Sequence, residues 1–226
     1  MIDMPHGTFR ATRPLVLASS SPRRKDLLNE LGIDFTIVTA NGAEPTPEIN
    51  EDPSIYVMRA AKAKAMAVAE KLDQTEPGND SVILGSDTIV VLYDETGPVI
   101  LGKPESPAQA LAMLLHLSGK SHVVHTGCCL LWPGVPDRRI ECFHDAATVT
   151  FAPWPEPVLQ AYVATGEGMD KAGAYAIQGK GSFLVSQIHG LWSTIVGLPI
   201  LPVAGHLLRG GAICPQTETE SPLSQK

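Results

Sequence analysis

The first clear hydrophobic segment, Leu15–Ala18, runs directly into the polar stretch Ser19, Ser20, Ser21, Pro22, Arg23 and Arg24. Beyond it, Leu27, Leu28 and Leu31 share one helical face until Gly32. With Ser21 as N-cap and Pro22 as the first helical residue, this reads as strand, short polar loop and helix. Phe35 and Ile37 alternate within a strand over 34–39, and a loop with Gly42, Glu44, Pro45 and Pro47 follows. Asp52 and Pro53 repeat the cap chemistry and open a long Ala-rich helix to about Leu72, with Tyr56, Ala60, Ala63 and Ala67 at near-helical spacing. Small side chains let such a helix pack close to a sheet.

Residues 82–93 are β-branched and apolar, interrupted by Gly85, Ser86, Asp87 and Thr88, and 94–97 supply a hairpin turn. Ser106 and Pro107 start a third capped helix that ends near Gly119. Two long strand-like runs, 122–132 and 138–151, are joined by a Pro/Gly turn and predict an antiparallel pair, so the sheet is mixed. A helix over 155–165, a Gly-rich stretch over 166–181, a strand over 182–188 and a helix over 198–208 complete the pattern. The expectation is one α/β domain over 14–209, a mixed central sheet flanked by helices with two lobes around a cleft. Residues 1–13 form an N-terminal extension and 210–226 a loose tail.

Composition narrows the class. With 226 residues, 44% hydrophobic and 18% charged, the chain is an ordinary globular unit that needs no disulfide stapling. The net charge of −7 argues against a nucleic-acid surface, yet residues 1–25 carry a local +4 through Arg10, Arg13, Arg23, Arg24 and Lys25 against Asp3. A small positive focus in an acidic protein suits a small anion. Cys128, Cys129, Cys142 and Cys214 offer no CxxC spacing and read as reduced core thiols. No apolar run approaches the ~18 residues of a membrane span and no signal-like segment opens the chain, so a cytoplasmic location is expected.

Several positions carry chemistry. The run Ser19 to Arg24 combines hydroxyls, two guanidiniums and a helix N-terminus directly after a strand, a place prepared for phosphate oxygens; the structural alternative is a capping Ser21 with solvated arginines. Asp87, inside an apolar run, must be paired, metal-bound or at a strand end or turn. Glu44 is either a second carboxylate at that site or a solvated loop residue. Lys103, between Gly102 and Pro104, is a placed cation, whereas Lys64 shares its helix with Arg59 and Lys62 and could be surface charge. In the Gly-rich stretch, Gln178 offers a donor and an acceptor and Tyr175 a ring for a base. The stretch is also compatible with a simple turn. No GxGxxG, GxxxxGKS or GxSxG pattern is present, and His125 and His144 read as core or rim histidines.

Taken together, the runs LASSSPRRKDLLNELG (17–32), Glu44, VMRAAKAKAMAVA (57–69), GSDTIVV (85–91), LGKP (101–104), TVTF (148–151), GEGMDKAGAYAIQGKG (166–181) and IVGLPI (195–200) resemble the Maf family of nucleoside triphosphate pyrophosphatases. The resemblance implies a fold related to the inosine triphosphatases, often a homodimer. It also implies hydrolysis of the α–β phosphoanhydride of a nucleoside triphosphate with a divalent metal, Mg²⁺ or Mn²⁺. Carried over by position, its functional residues fall on Ser19, Arg23, Arg24, Glu44, Lys64, Asp87, Lys103 and Gln178, with Lys62 as the alternative to Lys64. In that reading Asp87 and Glu44 hold metal, Asp87 is also the general base, and Ser19, Arg23, Arg24, Lys64 and Lys103 hold phosphates. Gln178 reads the base.

The DKAGAY and IQG runs resemble the branch acting on dTTP and UTP. The alternatives are the branch preferring 7-methylguanosine triphosphate, or a nucleotide-binding regulator of septum formation. Departures from the family pattern are Gly168 for Pro, Ala176 for Gly, Thr194 for Asn, and no acidic residue two positions before Glu44.

Overall fold

The computed structural model describes residues 7–40, 45–76, 78–95, 97–134 and 137–216. Among these residues the main sheet is mixed and has seven strands. β2 (Leu15–Ala18) pairs in parallel with β3 (Thr36–Ile37) and with β4 (Val82–Asp94), which pairs antiparallel with β5 (Gly97–Leu101) and β6 (Ser121–Trp132). Beyond β6 the antiparallel order continues through β7 (Arg139–Phe151) to β8 (Val185–His189).

Strand alternation sends successive side chains to opposite faces. Leu15 and Leu17 of β2 join Leu84 and Leu130 in a core closed by Leu27 and Leu28 of α1 (Pro22–Asn29) and by Val203 and Leu207 of α6 (Ile200–Arg209). Val16 and Ala18 face the other way, with Ile83 and Leu131, onto Ala61, Ala65, Val68 and Leu72 of α2 (Pro53–Thr75). A second lobe forms around the far end of the same long strands. There Val90, Val124, Val149 and Phe151 pack against Leu114 and Leu117 of α3 (Pro107–Leu117) and Leu159 of α4 (Glu156–Val163). Both lobes therefore hang on β4 and β6, at roughly 1.5–3 kcal/mol per fully buried large aliphatic side chain.

Gly85, Ser86, Asp87 and Thr88 do not interrupt β4: the ladder to β6 runs unbroken from Ile83 opposite Leu131 to Val91 opposite Val123. What changes is the other edge. On β4, pairing with β2 runs only as far as Gly85 and pairing with β5 begins at Val90, so residues 86–89 border a gap where one strand has left and the next has not arrived. The cleft opens there.

The loose tail expected after Gly210 is corrected up to Pro215. Ala212 and Ile213 are buried, and β9 (Ile213–Pro215) pairs antiparallel with β1 (Phe9–Ala11), joining the two ends of the chain. Such a short pairing between distant segments leaves no periodicity to read. Residues 217–226 lie outside the described residues. Two further boundaries differ. Residues 182–184 belong to a 3-10 turn, with the strand starting at Val185, and a short helix α5 (Trp192–Val196) precedes α6. No described helix is long and apolar enough to cross a membrane.

Two glycines set the distance between α2 and the sheet. A Cβ at Gly85 would stand 2.5 Å from the carbonyl oxygen of Ala61, and one at Gly127 would stand 2.4 Å from that of Val57. Because the opposing atoms are backbone, they cannot rotate away. Gly127→Ala is therefore expected to destabilise the fold by about 1–3 kcal/mol through overpacking, measured as a lower urea midpoint with unchanged slope; an unchanged midpoint would show that the helix moves without cost.

Candidate functional site

The gap beside residues 86–89 is the inner end of a cleft of about 830 Å³ lined from both lobes. Ser19, Arg23 and Arg24 reach it from the first lobe, Lys64 and Asp87 from the α2 face, and Lys103 and Gln178 from the second lobe. Seven of the eight positions singled out in the sequence thus share one crevice. Glu44, the eighth, lies outside the described residues.

Asp87 sits at the centre. Lys64 Nζ donates to its Oδ1 at 2.6 Å, and the two side chains are only 24% and 14% exposed. A pair this sheltered is weakly screened, and removing one partner would leave a poorly solvated charge. The helical phase of α2 explains why Lys64 and not Lys62 serves here: Lys64 lines the cleft with Ala63 and Ala67, whereas Lys62 is exposed outside it. Arg59 is also occupied elsewhere. Its guanidinium forks onto Glu51 at 2.8 and 2.6 Å and reaches the Thr46 carbonyl at 2.8 Å, while Tyr56 Oη donates to the Pro45 carbonyl at 3.0 Å. Hydrogen bonding to Arg59 holds the Glu51 carboxyl down at about 2, so the pair latches the 45–51 loop to α2 throughout the neutral range.

The phosphate-like turn is built by Arg24. Its Nε donates to the Gly197 carbonyl at 2.8 Å, Nη1 to Ser19 Oγ at 3.2 Å and Nη2 to Thr88 Oγ1 at 3.1 Å. Ser86 Oγ donates to the same Gly197 carbonyl at 3.0 Å, and Thr88 shares a hydrogen bond with Thr126, whose hydroxyl donates to the Thr194 carbonyl. The guanidinium plane is thereby fixed by three elements. Ser21 occupies the N-cap position of α1, but its side chain makes no cap hydrogen bond. The first-turn N–H groups thus keep their capacity for an anion. The capping expected of Asp52 and Ser106 does form, to Ser54 and Gln109.

From the second lobe, the Gly-rich stretch supplies two turns rather than a free loop. Glu167 accepts hydrogen bonds from the backbone N–H of Lys180 at 2.9 Å and of Gly181 at 2.8 Å. A Cβ at Gly179, where φ is +86°, would strike Glu167 Oε1, so the carboxylate and the glycine require each other. Burial pushes the Glu167 carboxyl up, but these two N–H donors, a hydrogen bond from Tyr162 and the Lys171 charge together outweigh it, and the group sits below its ordinary value. A depressed folded value means that the clamp's contribution is fully present above the ordinary 4.5 and is lost as pH falls through the lower folded value. Gln178 stands at the mouth of this turn, exposed and on the cleft wall.

Asp170 and Lys171 also line the cleft. Hydrogen bonding to Lys171 is the main influence that lowers the Asp170 carboxyl, and the Arg23 charge across the cleft adds to it. Tyr175 is not a platform for stacking. Its ring is 5% exposed, packs edge-on against Phe151, and bonds His122 Nε2 through its hydroxyl at 2.8 Å. Burial drives His122 down to about 4, so that the imidazole is neutral at pH 7.

Two residues at the site went unrecognised in the sequence. Thr88 follows Asp87 and fixes Arg24, and Glu167 positions the Gln178 turn; both lie inside motif runs, and only the fold shows what they touch. Thr194, a departure from the family pattern, is fully buried and donates to Asp145. His125 is 8% exposed and stacks with His144 outside the cleft.

Comparison with known proteins gives consistent matches. The family description "Maf-like protein" matches residues 14–209. A protein of Nitratidesulfovibrio vulgaris named dTTP/UTP pyrophosphatase is 46% identical over 215 residues, covering 95% of this chain and 96% of its own. Proteins of the same name from Lawsonia intracellularis and Bacillus cereus are each 44% identical, covering 91% and 83% of this chain and 87% and 91% of theirs.

A lysine cannot reproduce a guanidinium that bonds three partners in one plane. Arg24→Lys is expected to weaken binding of inorganic tripolyphosphate about tenfold, read by isothermal titration; wild-type affinity would remove Arg24 from the anion site.

Proposed function

The chain belongs to the Maf family, and on that premise we propose that it hydrolyses the α–β phosphoanhydride of dTTP and UTP, releasing the monophosphate and pyrophosphate. The observation that carries this reading is the placement of Asp87. A carboxylate held at 2.6 Å by Lys64 stands at an open edge of the sheet, facing a rim of cations contributed by two lobes.

A triphosphate brings about four negative charges, and catalysis of its cleavage rests on positioned positive charge. Arg23, Arg24, Ser19 and the α1 N-terminus hold phosphate oxygens from one side, and Lys103 from the other. Lys64 holds Asp87 Oδ1, which leaves Oδ2 for the attacking water. Water oxygen bonds to the α-phosphorus, the bridging oxygen departs with pyrophosphate, and the water proton passes to Asp87. Gln178, set by the Glu167 clamp, meets the base edge.

Among the described residues no group of three His, Cys, Asp or Glu side chains is arranged to hold a metal alone. The cleft instead offers the Asp87 carboxylate beside the place for phosphate oxygens, which fits Mg²⁺ or Mn²⁺ taking one or two carboxylates and the rest from substrate and water. Asp87, with Glu44, would hold the cation. When bound it would neutralise phosphate charge and polarise the α-phosphoryl group. The proposal includes a cytoplasmic location, the expectation from the sequence pattern, and a homodimer, carried from the family resemblance.

The test is a panel of UTP, dTTP and 7-methylguanosine triphosphate with Mg²⁺, run on the wild type and on Asp87→Asn with pyrophosphate as readout. Pyrophosphate from UTP and dTTP, with turnover about 10²–10⁴-fold lower in Asp87→Asn and nucleotide binding retained, is the expected result. Orthophosphate alone would overturn the reaction. Preference for the methylated guanosine nucleotide would move the chain to the other branch, and binding without turnover would favour a nucleotide-binding regulator.

A further inference from the structure

Lys62, the helix cation outside the cleft, has a different neighbourhood. On the α2 face of the sheet, Cys129 of β6 lies directly opposite Cys142 of β7 in the antiparallel register. Their sulfurs are 2.9 Å apart and share a hydrogen bond. Directly opposed residues of antiparallel strands have Cα atoms about 4.5–5.5 Å apart, within the range that a disulfide spans. A bond of about 2.05 Å therefore asks only a small closure of the sulfurs.

The two thiols are unequal. Cys129 is fully buried among Ala61, Ala65 and Ile83, whereas Cys142 is exposed. The reduced-core-thiol reading thus fails for Cys142. Cys142 lies on the part of β7 that β8, paired only at 148–151, does not cover, and the Lys62 charge acts on it, the partly exposed, electropositive setting in which a thiolate reacts. Hydrogen bonding from Cys129 lowers the Cys142 thiol and the Lys62 charge adds to this, while the same contact and burial push Cys129 up.

We propose that Cys142 and Cys129 form a peroxide-responsive dithiol, in which exposed Cys142 attacks, buried Cys129 resolves, and the product is an intramolecular cross-strand disulfide. The oxidant is hydrogen peroxide. The Cys142 thiolate attacks one peroxide oxygen, the O–O bond breaks, and after protonation one water leaves and a sulfenic acid remains. Cys129 sulfur then attacks the sulfenic sulfur, its proton goes to the departing hydroxyl, and a second water leaves. Peroxide is reduced and two thiols are oxidised by two electrons. Cys128 and Cys214 serve as internal references: Cys128 is fully buried, with a thiol pushed up to about 12 by burial, and Cys214 lies on the chain-end strand β9.

The test treats the reduced, full-length chain with stoichiometric hydrogen peroxide at pH 7, alkylates it after unfolding, and maps the peptides by mass. The expected product is a linked peptide 2 Da lighter than the sum of its two free-thiol peptides, joining 129 and 142, with Cys128 and Cys214 alkylated. In Cys129→Ser, dimedone should trap Cys142 as sulfenic acid with no linked peptide. Lys62→Gln, a change at an exposed side chain, should slow disulfide formation about three- to tenfold. An unreacted Cys142, a link to Cys214 or to another chain, or a Lys62→Gln rate equal to wild type would overturn the proposal. Wild-type mapping and Lys62→Gln decide it even if Cys129→Ser does not fold.

Discussion

The Lys64–Asp87 ion pair is the contact on which the site depends. A carboxylate in the middle of a thirteen-residue strand flanked by apolar residues is expensive unless something answers its charge. Here the answer comes from a helix pressed close to the sheet, because Gly85 and Gly127 leave room for its backbone. Had either position carried a Cβ, α2 would stand further off and Lys64 with it. Packing of small residues thus sets an electrostatic distance.

The rest of the cleft follows from how one strand serves two lobes. β4 is held by β6 along most of its length, but on its other edge it exchanges β2 for β5. Of the four residues between the two partners, Asp87, Thr88 and Ile89 line the crevice. Each lobe has its own apolar core, so the groups they present to the cleft are anchored independently, Arg24 through Gly197 and Thr88, and the Gln178 turn through Glu167. Fixed positive charge on both sides suits a ligand that is long, flexible and strongly anionic. Such charges stabilise a transition state with little reorganisation when they are in place beforehand.

Much of this was legible in the chain itself. Hydrophobic periodicity gave the main strands and helices, and three Ser/Asp-Pro starts located helices α1, α2 and α3. The site positions stood out because their residue types sit uneasily in their surroundings, Asp87 in an apolar run and two arginines at a helix start. Other features depend on long-range geometry. The β1–β9 pairing joins segments about 200 residues apart by three positions each, too few for periodicity to register. The continuity of β4 through Gly85 to Thr88 was hidden because polar residues beside an open edge look like a turn. Tyr175 resembled a ligand ring until its burial against Phe151 and His122 was visible. Lys62 and Lys64 were separable only once the phase of α2 against the sheet was known.

What unifies these features is an account in which fixed cations hold a polyphosphate so that solvent, aimed by Asp87, meets the α-phosphorus. Hydrolysis of UTP in ¹⁸O-labelled water tests that most directly. The account predicts that the label appears in the monophosphate and not in pyrophosphate. Label found in pyrophosphate would place the attack on the β-phosphorus and contradict the geometry described for the cleft.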